Sequence, residues 1–186
     1  FLGDRNAESG FDEACRRARP HIGRDTVVLD TCSVKVSPSR VMKSVLPPPT
    51  PILATHPMFG PDSAGGSYLP VVLCPVRADA TLIEGWRGHL AELGLSVSVM
   101  SPEEHDREAA YTQGVTHLVG RVLAEMGLAG SPIGTLGYRR LLEIVEQTCN
   151  DPWQLFLDLQ RYNPHTREMR ERLEKSLRAV MAAIDN

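Results

Sequence analysis

No apolar run in the chain approaches the roughly 18 residues of a membrane span, and no charged-apolar-small signal segment opens it. The expectation is a cytoplasmic protein with no membrane partner. The four cysteines, Cys15, Cys32, Cys74 and Cys149, form neither the CxxC pairs of a zinc site nor the density of a disulfide scaffold. They read as reduced packing residues. A positive excess is missing too: the net charge of -3 argues against general nucleic-acid affinity, and Arg139-Arg140 and the arginines of 167–178 make only local basic patches. A small molecule or a protein is the expected partner. Internal repeats and low-complexity tracts are absent. The chain begins with Phe, and residues 1–10 have little periodicity, so they read as a loose leader on a fragment.

What is present, 42% hydrophobic and 23% charged residues over 186, is ordinary for a globular protein with one good core or two small ones. Phe11, Ala14, Cys15 and Ala18 predict a helix that Pro20 stops, and Val27-Val28-Leu29-Asp30 predicts a buried strand. A helix begun at 39–45 breaks at Pro47-Pro48-Pro49, before a second strand at 52–55. A Gly/Ser loop at 62–67, a third strand at 71–75, a helix at 80–93 stopped by Gly94, and a fourth strand at 95–100 complete an α/β half. From Ser101 strand signals vanish. Ser101-Pro102, Ser131-Pro132, Asp151-Pro152 and Asn163-Pro164 each put a capping side chain before a proline, with Glu104 and Gln154 placed as in capping boxes. They predict four helices, near 102–126, 132–148, 152–162 and 164–184. The organisation is therefore an α/β domain over 1–100 and a helical domain over 101–186. Four helices in that length bury their faces only with help, and Leu173, Leu177, Val180, Met181 and Ile184 form one stripe for docking.

His56 follows the second strand directly and opens His56-Pro57-Met58-Phe59-Gly60-Pro61-Asp62-Ser63. It reads either as a turn residue or as a proton acceptor, its ordinary pKa of roughly 6.5 suiting the latter. If the two strands are parallel neighbours, Ser33 emerges at the same edge, to orient a substrate oxygen or to bond local backbone. Lys35 is an anion partner or a solvated surface charge. Gln113, His117 and Arg121 make a polar strip on an otherwise apolar helix, facing a cleft or water. Glu103-Glu104-His105-Asp106 has metal-ligand residue types, but carboxylates in a first helical turn are what the helix dipole favours, and no metal is expected. Cys149 with His165 lacks the third group of a thiol nucleophile, and Asp151 is explained as an N-cap. Arg139 and Arg140 read as solvated surface charges first, with one of them holding a carboxylate bidentately as the alternative.

Asp30-Thr31-Cys32-Ser33-Val34-Lys35, the His56–Ser63 stretch, Met100-Ser101-Pro102-Glu103-Glu104-His105-Asp106 and Gln113-Gly114-Val115-Thr116-His117 together resemble the prephenate/arogenate dehydrogenase family of tyrosine biosynthesis, its plant-like branch especially. The resemblance implies an α/β fold followed by an all-α one: the C-terminal remnant of a Rossmann-type dinucleotide-binding domain, then a helical domain that binds substrate and forms a homodimer. It implies an oxidoreductase using NAD or NADP, His56 as catalytic base, Ser33 hydrogen-bonding the same hydroxyl beside the nicotinamide, and Lys35 with Ser33 toward the cofactor. Gln113, Thr116, His117, Arg140 and Asp151 are implied as substrate-binding, Asp151 leaning toward the amine of arogenate. A plastid location is implied for a plant source. The GxGxxG turn expected of the nucleotide-binding half is not found before Phe11. A reading from another class is a non-catalytic helical dimerisation or ligand-sensing module.

Overall fold

The computed structural model describes residues 8–60 and 68–185. The leader read at 1–7 and the loop at 61–67, with the Pro61-Asp62-Ser63 end of the histidine stretch, lie outside the described residues. The chain divides into two compact units, Phe1–Asp106 and Arg107–Asn186.

In the first unit, helix α1 (Glu8–Ala18) buries Phe11, Ala14 and Cys15 at helical spacing while Asp12 and Arg16 pair on the exposed side at 2.7 Å. A 3-10 turn, Arg19–His21, absorbs Pro20. The next apolar segment is a minimal strand, bridging in parallel through Val28 to Ile52. Leu53 N and Thr55 N donate to the carbonyls of Val28 and Asp30, at 3.1 and 3.2 Å. Helix α2 (Val36–Val45) ends at Leu46, where the proline run makes continuation impossible. Strand β1 (Ile52–Pro57) contains His56, rather than merely preceding it, and pairs with β2 (Pro70–Arg77) in antiparallel register, His56 opposite Val72. A uniformly parallel sheet is thus excluded. A parallel return needs a crossover, usually helical, which the Gly- and Pro-rich sequence between β1 and β2 does not encode. Helix α3 (Ala80–Glu92) starts where Asp79 Oδ1 accepts from Leu82 N at 2.8 Å and stops at Gly94, whose φ of 82° is one that a side chain resists. It leads into β3 (Ser96–Val99), parallel to β2. The core joins Phe11 and Cys15 to Met42, Val45 and Leu46 and to Ile52, Ala54, Val72 and Cys74.

Helix α4 (Pro102–Ala109) opens with the expected capping box: Glu104 N donates to Ser101 Oγ at 3.2 Å and Ser101 N to Glu104 Oε2 at 2.8 Å. The unit boundary falls inside it. A π-turn over Ala110–Gly114 interrupts the long helix predicted there, before α5 (Val115–Glu125) resumes. The Gly114 carbonyl takes a 2.8 Å bond from Gln160 Nε2, so the altered ladder is satisfied.

Helix α6 (Leu136–Asn150) begins four residues later than the Ser131 reading; its cap is Thr135, whose Oγ1 accepts from Tyr138 N at 3.2 Å. Ser131 Oγ instead accepts from Ile133 N inside a turn. Helices α5 and α6 meet at Gly120, where a Cβ would lie 2.1 Å from Thr148 Oγ1. Helix α7 (Trp153–Tyr162) has no side-chain cap, and Gln154 bonds forward to Asp158 at 2.7 Å instead of closing a box on Asp151. Helix α8 (Thr166–Ile184) starts two residues beyond the expected position; Asn163 Oδ1 accepts from His165 N at 2.9 Å just ahead of it. Leu177, Val180, Met181 and Ile184 on α8 are exposed.

Candidate active site

The first unit builds a site around His56. Its ring is 3% exposed, and burial, followed by the charge of Lys35 and the neighbouring His105, holds its pKa well below the usual 6.5. The imidazole is therefore neutral near pH 7. Its Nδ1 lies 2.8 Å from His105 Nε2, and His105 Nδ1 lies 2.8 Å from Asp106 Oδ1. Among the described residues nothing hydrogen-bonds His56 Nε2. Asp106, wholly buried, also accepts Lys35 N at 2.7 Å and Val36 N at 2.9 Å, capping α2 from a helix far along the chain.

Ser33 is half-buried in the loop beyond the 28–30 segment, and that segment and β1 run parallel, so both segments end on the same side. Lys35 is not the solvated surface charge; it partners an anion, the carboxylate of Asp30. It is fully buried, with Nζ 2.5 Å from Asp30 Oδ2 and 2.6 Å from the Thr55 carbonyl. Asp30 also accepts from Cys32 N at 3.1 Å and Thr55 N at 3.3 Å, and its carbonyl takes the Thr55 hydroxyl. The pair shapes the loop that carries Ser33. Burial pushes the thiols of Cys15 up to about 11 and of Cys32 and Cys74 up to about 12, so none of the three is a thiolate nucleophile at neutral pH.

The second unit gathers Gln113, His117, Arg121 and Asp151. Asp151 stands at the C-cap position of α6 and does not N-cap α7: its Oδ2 lies 3.7 Å from His117 Nε2, and its carbonyl takes a 2.6 Å bond from Arg121. The Arg121 guanidinium sits over the rings of Trp153 and Phe156, 5.2 and 5.8 Å from their centres. Gln113 Oε1, His117 Nδ1 and Arg121 Nε are buried and hydrogen-bond nothing among the described residues, like Ser39 Oγ and Arg77 Nε in the first unit. Burial lowers the His117 pKa, with Arg121 helping and Asp151 opposing. Thr116 Oγ1 bonds the Thr112 carbonyl at 2.8 Å within its own helix. Arg140 is exposed on α6, and no hydrogen bond or ion pair joins it to this group, where Arg121 supplies the cation instead.

Residues 9–99 match the family model described as prephenate dehydrogenase, nucleotide-binding domain, and residues 122–186 match TYRAAT1-like, C-terminal domain. Over 164 residues, 84% of the chain, it is 42% identical to arogenate dehydrogenase 2, chloroplastic, of Arabidopsis thaliana and 37% identical to arogenate dehydrogenase 1, chloroplastic, of the same plant. The chain belongs to the prephenate/arogenate dehydrogenase family. It spans 46% and 26% of those two relatives' own lengths. The crystal structure of Aquifex aeolicus prephenate dehydrogenase in complex with hydroxyphenyl propionate and NAD+ superposes with a TM-score of 0.73 at 21% identity, covering 96% of this chain and 66% of that one. That likeness gives the dehydrogenase fold of this chain, Rossmann-type strands and helices followed by helices alone.

His105 and Asp106, named in the sequence only as metal-ligand types and as part of the resembling motif, are the residues whose link to His56 the sequence did not reveal. Helix polarity accounts for the exposed Glu103 and Glu104, and it drew attention from their neighbours. The usable signal was periodic: His105, Asp106, Ala109 and Ala110 share the buried side of α4.

Proposed function

We propose that this chain is the catalytic part of an NAD(P)-dependent dehydrogenase that oxidatively decarboxylates prephenate or arogenate in tyrosine biosynthesis. The observation that carries the reading is His56: a buried neutral imidazole with Nε2 bare, beside the Ser33 loop, in a segment that matches a prephenate dehydrogenase nucleotide-binding domain. The ring carbon bearing the hydroxyl gives up hydride, the ring carboxylate leaves as CO2 with its bonding electrons entering the ring, and the ring becomes a phenol. His56 Nε2 takes the hydroxyl proton as the carbon–oxygen bond gains carbonyl character and returns it to the aromatic oxygen. Ser33 orients that hydroxyl. The proton is on loan, so the net reaction releases CO2 and reduced cofactor.

NAD or NADP, when bound, supplies the hydride acceptor. The donor set at the strand edge, half-buried Thr31 and Ser33, fits the nicotinamide-bearing end; the Lys35 ammonium is paired with Asp30 and so is not placed for the phosphates. Substrate contacts fall to Gln113, Thr116, His117 and Asp151, with Arg121 the better candidate than Arg140 for a carboxylate. Asp151, whose carboxylate caps no helix N-terminus, supports the amine of arogenate over the keto group of prephenate. The exposed α8 stripe supports a homodimer through the helical unit. None of the helices among the described residues is long and apolar enough to cross a membrane. The two chloroplastic relatives support a plastid location for a plant source, as against the cytoplasm. Turnover of the full-length protein with each substrate and each cofactor tests the reading. Reduction of NAD(P)+ with one substrate supports it, and failure with all four combinations, alongside intact dimerisation, would leave a non-catalytic module.

A further inference from the structure

We infer that Asp106 and His105 act as positioning residues that hold His56 in the one tautomer with Nδ1 protonated and Nε2 bare, making Nε2 the atom that receives the substrate proton. The inference rests on the reading of His56 as the base and goes beyond it by assigning the nitrogen and the groups that select it.

The argument follows the donors. Both Asp106 oxygens already accept backbone N–H bonds, Oδ1 from Lys35 at 2.7 Å and Oδ2 from Val36 at 2.9 Å, so the oxygen facing His105 is an acceptor. His105 Nδ1, 2.8 Å away, must then carry the proton. With its proton on Nδ1, the His105 ring presents a lone pair at Nε2, and His56 Nδ1, 2.8 Å from it, donates. That leaves the His56 lone pair on Nε2. The chain of bonds is sealed, with His56, His105 and Asp106 exposed by 3%, 2% and 0%, so water does not compete for any link. Because Asp106 also caps α2, the same carboxylate anchors the far end of the loop bearing Ser33, so one buried group sets both the tautomer of the base and the place where that loop stops.

When His56 gains a proton on Nε2, its Nδ1–H still points at His105 Nε2, behind which stands the Asp106 carboxylate. A base held this way is ready without reorganisation.

Nitrogen-detected NMR of the imidazoles in the full-length protein, with His56 assigned by its loss in His56→Asn, reads the tautomer directly. A protonated Nδ1 and bare Nε2 on His56 is the expected result; a protonated Nε2 overturns the inference. Kinetics give the second arm. His105→Gln keeps an acceptor for His56 and should hold kcat within about threefold, whereas His105→Phe removes it and should lower kcat by about 10- to 100-fold with KM changed less than about threefold. Equal rates for wild type and His105→Phe, with His56→Asn inactive, sink the positioning role and leave the base standing. A His56→Asn variant of near-normal rate sinks the base itself.

Discussion

A histidine works as a base only while neutral and with one nitrogen bare, and burial secures the first condition at His56. Its pKa is pushed below 6.5 by desolvation and then by the charge of Lys35 and by His105, with the carboxylates of Asp30 and Asp106 close behind those two groups. For the activity proposed, the acid limb of kcat/KM of the full-length protein is therefore expected below pH 6.5, and a limb at or above that value would contradict the burial argument. The same shift has a consequence for stability. The unfolded chain binds a proton near pH 6.5 where the folded one does not, so this contribution is complete above about pH 6.5 and lost as pH falls below it. Urea midpoints measured at pH 7.5 and 5.5 should fall more steeply for wild type than for His56→Asn. Lys35 is the second informative residue. Both it and Asp30 are wholly buried, and Lys35→Met leaves an unpaired carboxylate, at a cost of about 3–5 kcal/mol in chemical denaturation. A loss under about 1 kcal/mol would mean that the pair does not shape the loop. Sequence could not see this pairing, because a lysine beyond a strand end has the same signature whether it reaches water or folds back five residues.

At the scale of elements, Gly120 is where α5 and α6 come closest. A Cβ there meets Thr148 Oγ1 at 2.1 Å, and that hydroxyl is fixed by its 2.8 Å bond to the Ile144 carbonyl in a fully buried residue. Gly120→Ala should lower stability by about 1–3 kcal/mol, and Thr148→Ala in the same chain should recover part of it, as thermal or urea unfolding would report. The elements themselves were legible where local chemistry decides them: α1 and α3 from apolar spacing, Gly94 as a stop, Ser101 with Glu104 as a capping box. They were illegible where two local answers compete. Ser131 and Thr135 both offer a hydroxyl, and the turn around Gly134 delays the helix to the second. Asp151 before a proline looks like a cap, yet the carboxylate is drawn to His117. The π-turn at Ala110–Gly114 leaves no mark in composition; it depends on Gln160, far along the chain, to take up the freed carbonyl.

For the whole molecule, the parallel run of the 28–30 segment beside β1 was foreseeable from alternating helices and strands, and the antiparallel β2 was not, since pairing direction is set by the connection rather than by the strand. The link from His56 to His105 joins positions 49 apart in sequence and follows from tertiary structure alone. The exposed apolar stripe of α8 makes its own prediction: the full-length protein should sediment as the proposed homodimer and Met181→Glu as a monomer, and a monomeric wild type or a dimeric variant would remove α8 from the proposed interface. The central claim is that His56 Nε2 accepts the substrate proton in an oxidative decarboxylation. Its most direct measurement is steady-state formation of reduced nicotinamide by full-length wild type and His56→Asn with prephenate and with arogenate. The account predicts turnover by wild type on one of them and a loss of about two to four orders of magnitude in kcat for the variant with its fold retained. A variant rate near that of wild type would contradict it.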